Sequence, residues 1–205
     1  MRKALKAAGV PEGIIQGTER RARQTGRKQT GSGAANRQLR WALPVGDRNW
    51  ATEVTCREIE LRLLGELLCF TNAPTVPQDV QALLEGYLGR PIVPGTFRDE
   101  LLLEALDYED FAAEAANSRS GVSRFHIGHR DPTLSPMHTP GNTTWRTHRS
   151  NLIQGNMTLP EARAEFLKIM GRYFELDITI GHTALGQAVQ EPRPAAADAG
   201  ERAES

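Results

Sequence analysis

The middle of the chain carries apolar residues at helical spacing. From Trp50 to Phe70, mostly leucines return every three or four positions between charged residues, and Thr52 is suited to cap the start. A second helix is predicted from Pro77 to Leu88, with the proline at its opening. A third, long helix is predicted from Phe97 to Ala116. Leucine, alanine and phenylalanine stripes of this kind indicate a helical core layer.

The two ends of the chain differ from this middle part. A short helix is predicted at 3–8, but residues 16–40 are rich in Gly, Ser, Thr, Gln and Arg and favour a flexible segment. Thr158 and Glu161 form a capping box that starts a helix running to about Phe174. A short strand is predicted at 176–180, and the composition after Gln187 is typical of disorder.

Between these parts the pattern changes to a strand, a loop, a second strand and a short helix. Residues 124–129 alternate in the manner of a strand, and the prolines within 130–141 predict a loop. Residues 142–145 favour a strand, and 147–152 a short helix.

Charge is segregated along the chain although the total is zero. Residues 1–46 hold ten Lys and Arg against two Glu, a net charge of +8, whereas residues 47–114 carry −9. Basic segments bind nucleic acid by neutralising phosphates, which predicts contacts with the DNA backbone from Arg20, Arg21, Arg23, Arg27 and Lys28. No apolar run is long enough for a bilayer, no secretory signal is recognisable, and the two cysteines form no CxxC pair. We therefore expect a cytoplasmic protein without a membrane partner.

Residues 125–154 combine histidine and asparagine on a cationic background. Four of the five histidines lie there, and between Ser118 and Pro160 the only acid is Asp131, against five arginines. A neutral histidine can take a proton from water near neutral pH, and an asparagine oxygen suits a hard cation. This combination is typical of a site that hydrolyses a phosphodiester with a divalent metal.

The spacing resembles that of the HNH (ββα-metal) nucleases. Their pattern of Asp-His-x-x-Pro, then Asn, then Asn or His corresponds here to Gly128-His129-Arg130-Asp131-Pro132, Asn142 and Asn151. The resemblance covers about residues 122–157, roughly a sixth of the chain. It departs at Gly128, where most members carry a metal-binding Asp; a related branch has Arg-Gly-His and one Asn as the main metal ligand.

The resemblance implies a role for each residue. His129 would be the general base, Asn151 the ligand of Mg²⁺ or Mn²⁺, and Asn142 the residue that ties the loop and orients His129. His126 and His148 are candidates for the second ligand. Arginines flank the site and are suited to phosphate recognition: Arg130, Arg146 and Arg149.

We therefore expect an α+β protein with a mostly helical body and an HNH finger near the C-terminal half. The expected parts are a flexible basic arm (1–40), an acidic helical layer (41–120), the finger with the following helix (121–182) and a disordered tail (183–205). The predicted function is a metal-dependent endonuclease of double-stranded DNA, of restriction or phage type. A palindromic target would imply a homodimer.

Two alternatives stay open at this point. The first is a non-catalytic DNA-binding protein that has the shape of an HNH finger. The second is a zinc hydrolase that uses His126, His129 and His148, because three histidines suffice to bind zinc.

Overall fold

The structure is a computed structural model that describes residues 1–26, 28–30, 33–35, 37–117 and 123–175, with the backbone alone for 28–30 and 33–35. It has an α+β fold, mostly helical, with small two-stranded sheets. The helices are α1 (Arg2–Ala7), α2 (Glu12–Arg23), α3 (Glu53–Leu67), α4 (Gln78–Leu88), α5 (Tyr108–Ala116), α6 (His148–Gln154) and α7 (Leu159–Glu175). The strands are β1 (Lys28–Thr30), β2 (Gly33–Ala35), β3 (Phe125–His129) and β4 (Thr143–Thr147), and a 3₁₀ turn covers Arg40–Ala42.

Helix α3 is the centre of the core, as its apolar pattern predicted. Thr52 caps it by accepting a hydrogen bond from the backbone N–H of Thr55, and its leucines pack between α2 and α4. Two of its acids are also buried, Glu60 and Glu66. Glu60 pairs with arginines, whereas burial raises the pKa of Glu66 to about 7.

The predicted long helix Phe97–Ala116 is wrong in its first half. Only residues 108–116 are helical, because side chains bond to the backbone and stop the helix from starting earlier. Asp99 accepts from the N–H groups of the residues at 101 and 102, and Leu103 has a φ of 59°. Asp107 then caps α5 by accepting from the N–H groups of the residues at 109 and 110.

The short helix predicted at 3–8 is present as α1, but the flexible segment predicted from residue 16 is helical as far as Arg23. Helices α1 and α2 bury Leu5, Ile14 and Ile15 in the core, and α2 packs on α3. Ile14, Thr18 and Ala22 are spaced four residues apart, so that they share one buried face of α2. The arginines between them make the segment polar on average, and this is why its composition predicted a flexible segment instead of a helix. After α2, strands β1 and β2 pair antiparallel.

The core continues from the helices to the second sheet through aromatic residues. Phe125 of β3 packs against Phe70 and Phe111, and its ring centroid lies 6.4 Å from that of Phe70 and 5.1 Å from that of Phe111. Trp145 of β4 is fully buried, and its Nε1 donates to the carbonyl of Leu63 at 2.8 Å. The sheet that carries the candidate site is therefore anchored on the helical core.

The chain divides into two units, residues 1–163 and 164–205. The predicted capping box forms, since Thr158 donates through its N–H and hydroxyl to the carboxylate of Glu161. In the second unit the structure describes residues 164–175, so the strand predicted at 176–180 and the tail at 183–205 lie outside the described residues. Among the described helices, none is both long and apolar enough to cross a bilayer.

Candidate active site

Strands β3 and β4 and helix α6 form one continuous local structure. The strands pair antiparallel, with Phe125 opposite Thr147 and His129 opposite Thr143. Helix α6 follows β4 directly, and the hydroxyl of Thr147 caps it by accepting from the N–H of Ser150. It contacts both strands. The predicted order of strand, loop, strand and helix is therefore present, and α6 lies against the strand that ends in His129.

Asn142 fixes the loop that follows β3. Its side chain is 4% exposed, and its Oδ1 accepts from the N–H of Asp131 at 2.7 Å. Its Nδ2 donates to the carbonyls of Asp131 and Met137, both at 2.8 Å. The backbone carbonyl of Asn142 accepts from Arg130 at 2.9 Å. These bonds hold both ends of the loop together directly after His129.

Gln154 of α6 supports the same loop, although it was not among the residues selected from the sequence. The side chain is buried, and its Nε2 donates to the carbonyls of His129, Arg130 and Met157 at 3.0, 3.2 and 2.9 Å. Its position three residues after Asn151 on α6 is the one available signal, because residues at this spacing share a helix face.

Asn151 packs on the middle of β3, against Gly128. Its Nδ2 donates to the carbonyl of Ile127 at 3.2 Å. A Cβ on Gly128 would overlap the Oδ1 of Asn151 and lie 2.6 Å from Cγ of Arg146. No side chain fits at position 128 while these two neighbours stay in place. This gives a steric reason for glycine where the resembled nucleases carry aspartate.

His129 is partly buried and contacts a second histidine. Its Nε2 lies 3.4 Å from Nδ1 of His138, whose own Nε2 lies 2.7 Å from the carbonyl of Ala22. A carbonyl only accepts, so Nε2 of neutral His138 carries the proton and Nδ1 accepts. His129 then donates through Nε2, and its Nδ1 keeps the lone pair. Sequence analysis did not select His138 as a site residue, because its partner Ala22 lies 116 positions away in the chain.

Both histidines are neutral over a wide pH range. Burial, together with the positive charges of Arg40 and Arg48, lowers the pKa of His129 to about 4. Burial likewise lowers the pKa of His138 to about 2, with help from Arg40. A neutral His129 has the protonation state that a base requires.

The rings of His126 and His148 pack against each other. Their ring centroids are 4.7 Å apart, and His126 donates through Nε2 to the carbonyl of Ser123 at 2.8 Å. Burial lowers the pKa of His126. Within the described part of the chain, no group of three His, Cys, Asp or Glu side chains is placed to hold a metal ion. The three-histidine zinc site is therefore not assembled among these residues.

The flanking arginines differ in exposure. Arg146, which we expected on a DNA surface, is instead fully buried, where it donates to the hydroxyl of Ser150 and lies 3.5 Å from Asp99. Arg130 pairs with Glu100 at 2.6 Å. Arg149 has a side chain that is 75% exposed, with Glu104 at 3.9 Å. Of the three, Arg149 is the one that faces solvent.

The basic residues predicted in the N-terminal arm lie on α2 and beyond. Arg20 is exposed, and Arg21 lies over the ring of Trp145 at 5.5 Å. Arg23 is neutralised by Glu19 and Glu60, at 2.8 and 3.0 Å. Arg27 lies outside the described residues, as does the side chain of Lys28.

Comparison with known proteins gives a likeness of fold. A crystal structure of a type II restriction endonuclease matches with a TM-score of 0.52, over 62% of this chain and 55% of that chain, at 19% sequence identity. At this identity the match shows a shared fold alone, and the chain spans little more than half of that endonuclease. No family model matches the chain, and no curated protein matches it.

Proposed function

We propose that this protein is a metal-dependent endonuclease of the HNH class that hydrolyses phosphodiester bonds in double-stranded DNA. One observation carries the proposal. Three residues at the spacing of that class, His129, Asn142 and Asn151, all act on β3: His129 ends it, Asn142 fixes the loop beyond it, and Asn151 packs on its middle. The fold shared with a restriction endonuclease supports a nuclease, and with it a role in restriction.

His129 is the proposed general base. The hydrogen-bond chain from Ala22 through His138 orients its ring and leaves Nδ1 unprotonated, so that this nitrogen can take a proton from the attacking water. Because the pKa is held at about 4, His129 stays available as a base at neutral pH.

The donor atoms near Gly128 fit a hard divalent cation held by few protein ligands. Asn151 offers an amide oxygen, and such cations accept oxygen ligands and keep several water molecules. A bound Mg²⁺ or Mn²⁺ would polarise the phosphate and stabilise the leaving oxygen. Asn151 would hold it, and His148, three residues earlier and exposed, is the candidate for a second contact. The positive charge of buried Arg146 beside Gly128 predicts weak binding in the absence of DNA.

The decisive experiment is nicking of supercoiled plasmid with Mg²⁺ or Mn²⁺. His129→Ala should lower the rate by at least about 10²-fold, a typical minimum for a general base, while affinity for DNA changes little. A folded His129→Ala variant that nicks at the wild-type rate would contradict the role of His129. If the wild type binds DNA but nicks it with neither metal, the non-catalytic DNA-binding protein becomes the better description.

Asn151 is tested by the metal dependence of the same reaction. Asn151→Ala should require more Mg²⁺ for half-maximal nicking, because one oxygen ligand is lost. Asn156→Ala, at an exposed asparagine just after α6, serves as the matched control and should leave the requirement unchanged. An unchanged requirement in Asn151→Ala would move the metal ligand to His126 or His148.

A further inference from the structure

A cationic cleft lies along β3, between this strand and the C-terminal end of α2. It has a volume of about 330 Å³, at the lower end of the range for pockets that hold small molecules. None of the described residues that line it is acidic, and its charged and titratable lining residues are Arg20, Arg21, Arg37, Arg40, His126 and His129. The cleft therefore places positive charge beside the proposed base.

Arg40 is the most unusual of these residues. It is 4% exposed, and its Nη1 donates to the carbonyl of Asn49 at 3.1 Å. Its Nε is buried and has no hydrogen-bond partner among the described residues. Burial lowers its pKa to about 10, so the guanidinium remains charged at neutral pH. A buried guanidinium with an unbonded N–H is costly even with the charge of Asp47 acting on it, which makes the cleft favourable for an anion.

Arg21 faces the cleft from α2 and is held by aromatic rings. Its guanidinium lies 5.9 Å from the ring centre of Phe111 and 5.5 Å from that of Trp145. Burial lowers the pKa of Arg21, and the charge of Glu114 opposes this shift. Arg23, two residues further along α2, is neutralised by two glutamates. The guanidinium groups of Arg21, on α2, and Arg40, in the 3₁₀ turn, thus both line the cleft.

We propose that this cleft binds a phosphodiester of the DNA strand, with Arg21 and Arg40 as its ligands. The identity of the anion rests on the proposed nuclease function, because His129 lines the same cleft. Arginine is suited to this task, since its planar group donates two parallel hydrogen bonds to phosphate oxygens. The basic N-terminal segment then contributes a fixed binding site on α2 and the 3₁₀ turn.

The test is the affinity for a short mixed-sequence DNA duplex in EDTA, measured by fluorescence anisotropy at a series of salt concentrations. Arg21→Gln and Arg40→Lys should each lower the affinity by about tenfold, the effect of one charged hydrogen bond. Arg21→Gln should also lower the slope of log K against log salt by about 1, because one phosphate contact is lost. Arg40→Lys keeps the charge in a buried position, so that the fold is preserved while the paired donors are removed.

The matched control is Arg2→Gln, which removes an arginine that Glu12 and Glu19 neutralise on the protein surface. It should bind DNA as the wild type does. Wild-type affinity and salt slope in both cleft variants would overturn the proposed binding site. Plasmid nicking separates this result from a failure of the nuclease assignment. If the cleft variants bind weakly but the wild type never nicks, the cleft stands and the nuclease fails. If the wild type nicks plasmid and the cleft variants bind DNA normally, the nuclease assignment stands and the proposed binding site fails.

Discussion

Gly128→Ala should lower the free energy of unfolding, because a side chain at this position of β3 would overlap its neighbours. The new Cβ would lie 2.6 Å from Cγ of Arg146, whereas carbon atoms in contact lie about 3.5–4.0 Å apart, so a neighbour must move by about 1 Å. Arg146 is held by Ser150 and Asp99 and is fully buried. Overpacking of a core costs about 1–3 kcal/mol, and this pinned neighbour places the expected loss in the upper half of that range.

The measurement is the free energy of unfolding from urea denaturation, compared with Gly13→Ala. Gly13 lies in α2 with nothing near the position of a new Cβ, so this control should be neutral or stabilising by about 0.5–1 kcal/mol. Because the new methyl group also overlaps Asn151, the double variant Gly128→Ala/Asn151→Ala should recover at least about 0.5 kcal/mol relative to additivity. The steric argument is refuted if Gly128→Ala is as stable as the wild type, or if the two substitutions are strictly additive.

Three further predictions concern protonation and the loop. The pKa of Glu66 is about 7 in the folded protein and about 4.5 in the unfolded chain, so the wild type should lose stability as the pH rises from about 4.5 to 7. Glu66→Gln should remove this loss, as measured by urea denaturation midpoints across that pH range. The acid limb of kcat/KM for nicking should fall near the pKa of His129, about 4, and Arg40→Gln should move it upward because a nearby positive charge is lost; an unchanged limb would exclude His129 as the titrating base. Asn142→Asp should impair nicking at neutral pH at least as much as Asn142→Ala, since a carboxylate would face the two carbonyls that the amide nitrogen now contacts, and a milder effect of Asp would contradict this loop geometry.

The features that were predicted correctly from the sequence depend on short-range patterns. The cap at Thr52, the capping box at Thr158 and the order of strand, loop, strand and helix all depend on residues within a few positions of one another. The hydrogen bonds of Asn142 are local as well, since they join residues at most eleven positions apart.

What the sequence did not predict depends on residues far apart in the chain. Asp99 lies 51 positions before Ser150, yet it accepts the hydroxyl proton of that residue beneath α6, and this network is what buries Arg146. Charged side chains are normally exposed, so without the partner in view Arg146 was placed on the surface. The requirement for glycine at 128 is also invisible in one sequence, because it arises from neighbours in β4 and α6.

The contact between His138 and Ala22 makes helix α2 a structural part of the candidate active site rather than a removable extension. A shortened chain starting at residue 41 would lose the carbonyl that accepts from His138, and a buried donor without a partner costs about 1–3 kcal/mol. It would also lose the burial of Leu5, Ile14 and Ile15, about 1.5–3 kcal/mol each. Together these losses are comparable with the whole stability of an ordinary domain. Truncation at that point should therefore yield an unfolded chain, which circular dichroism of the shortened protein would check.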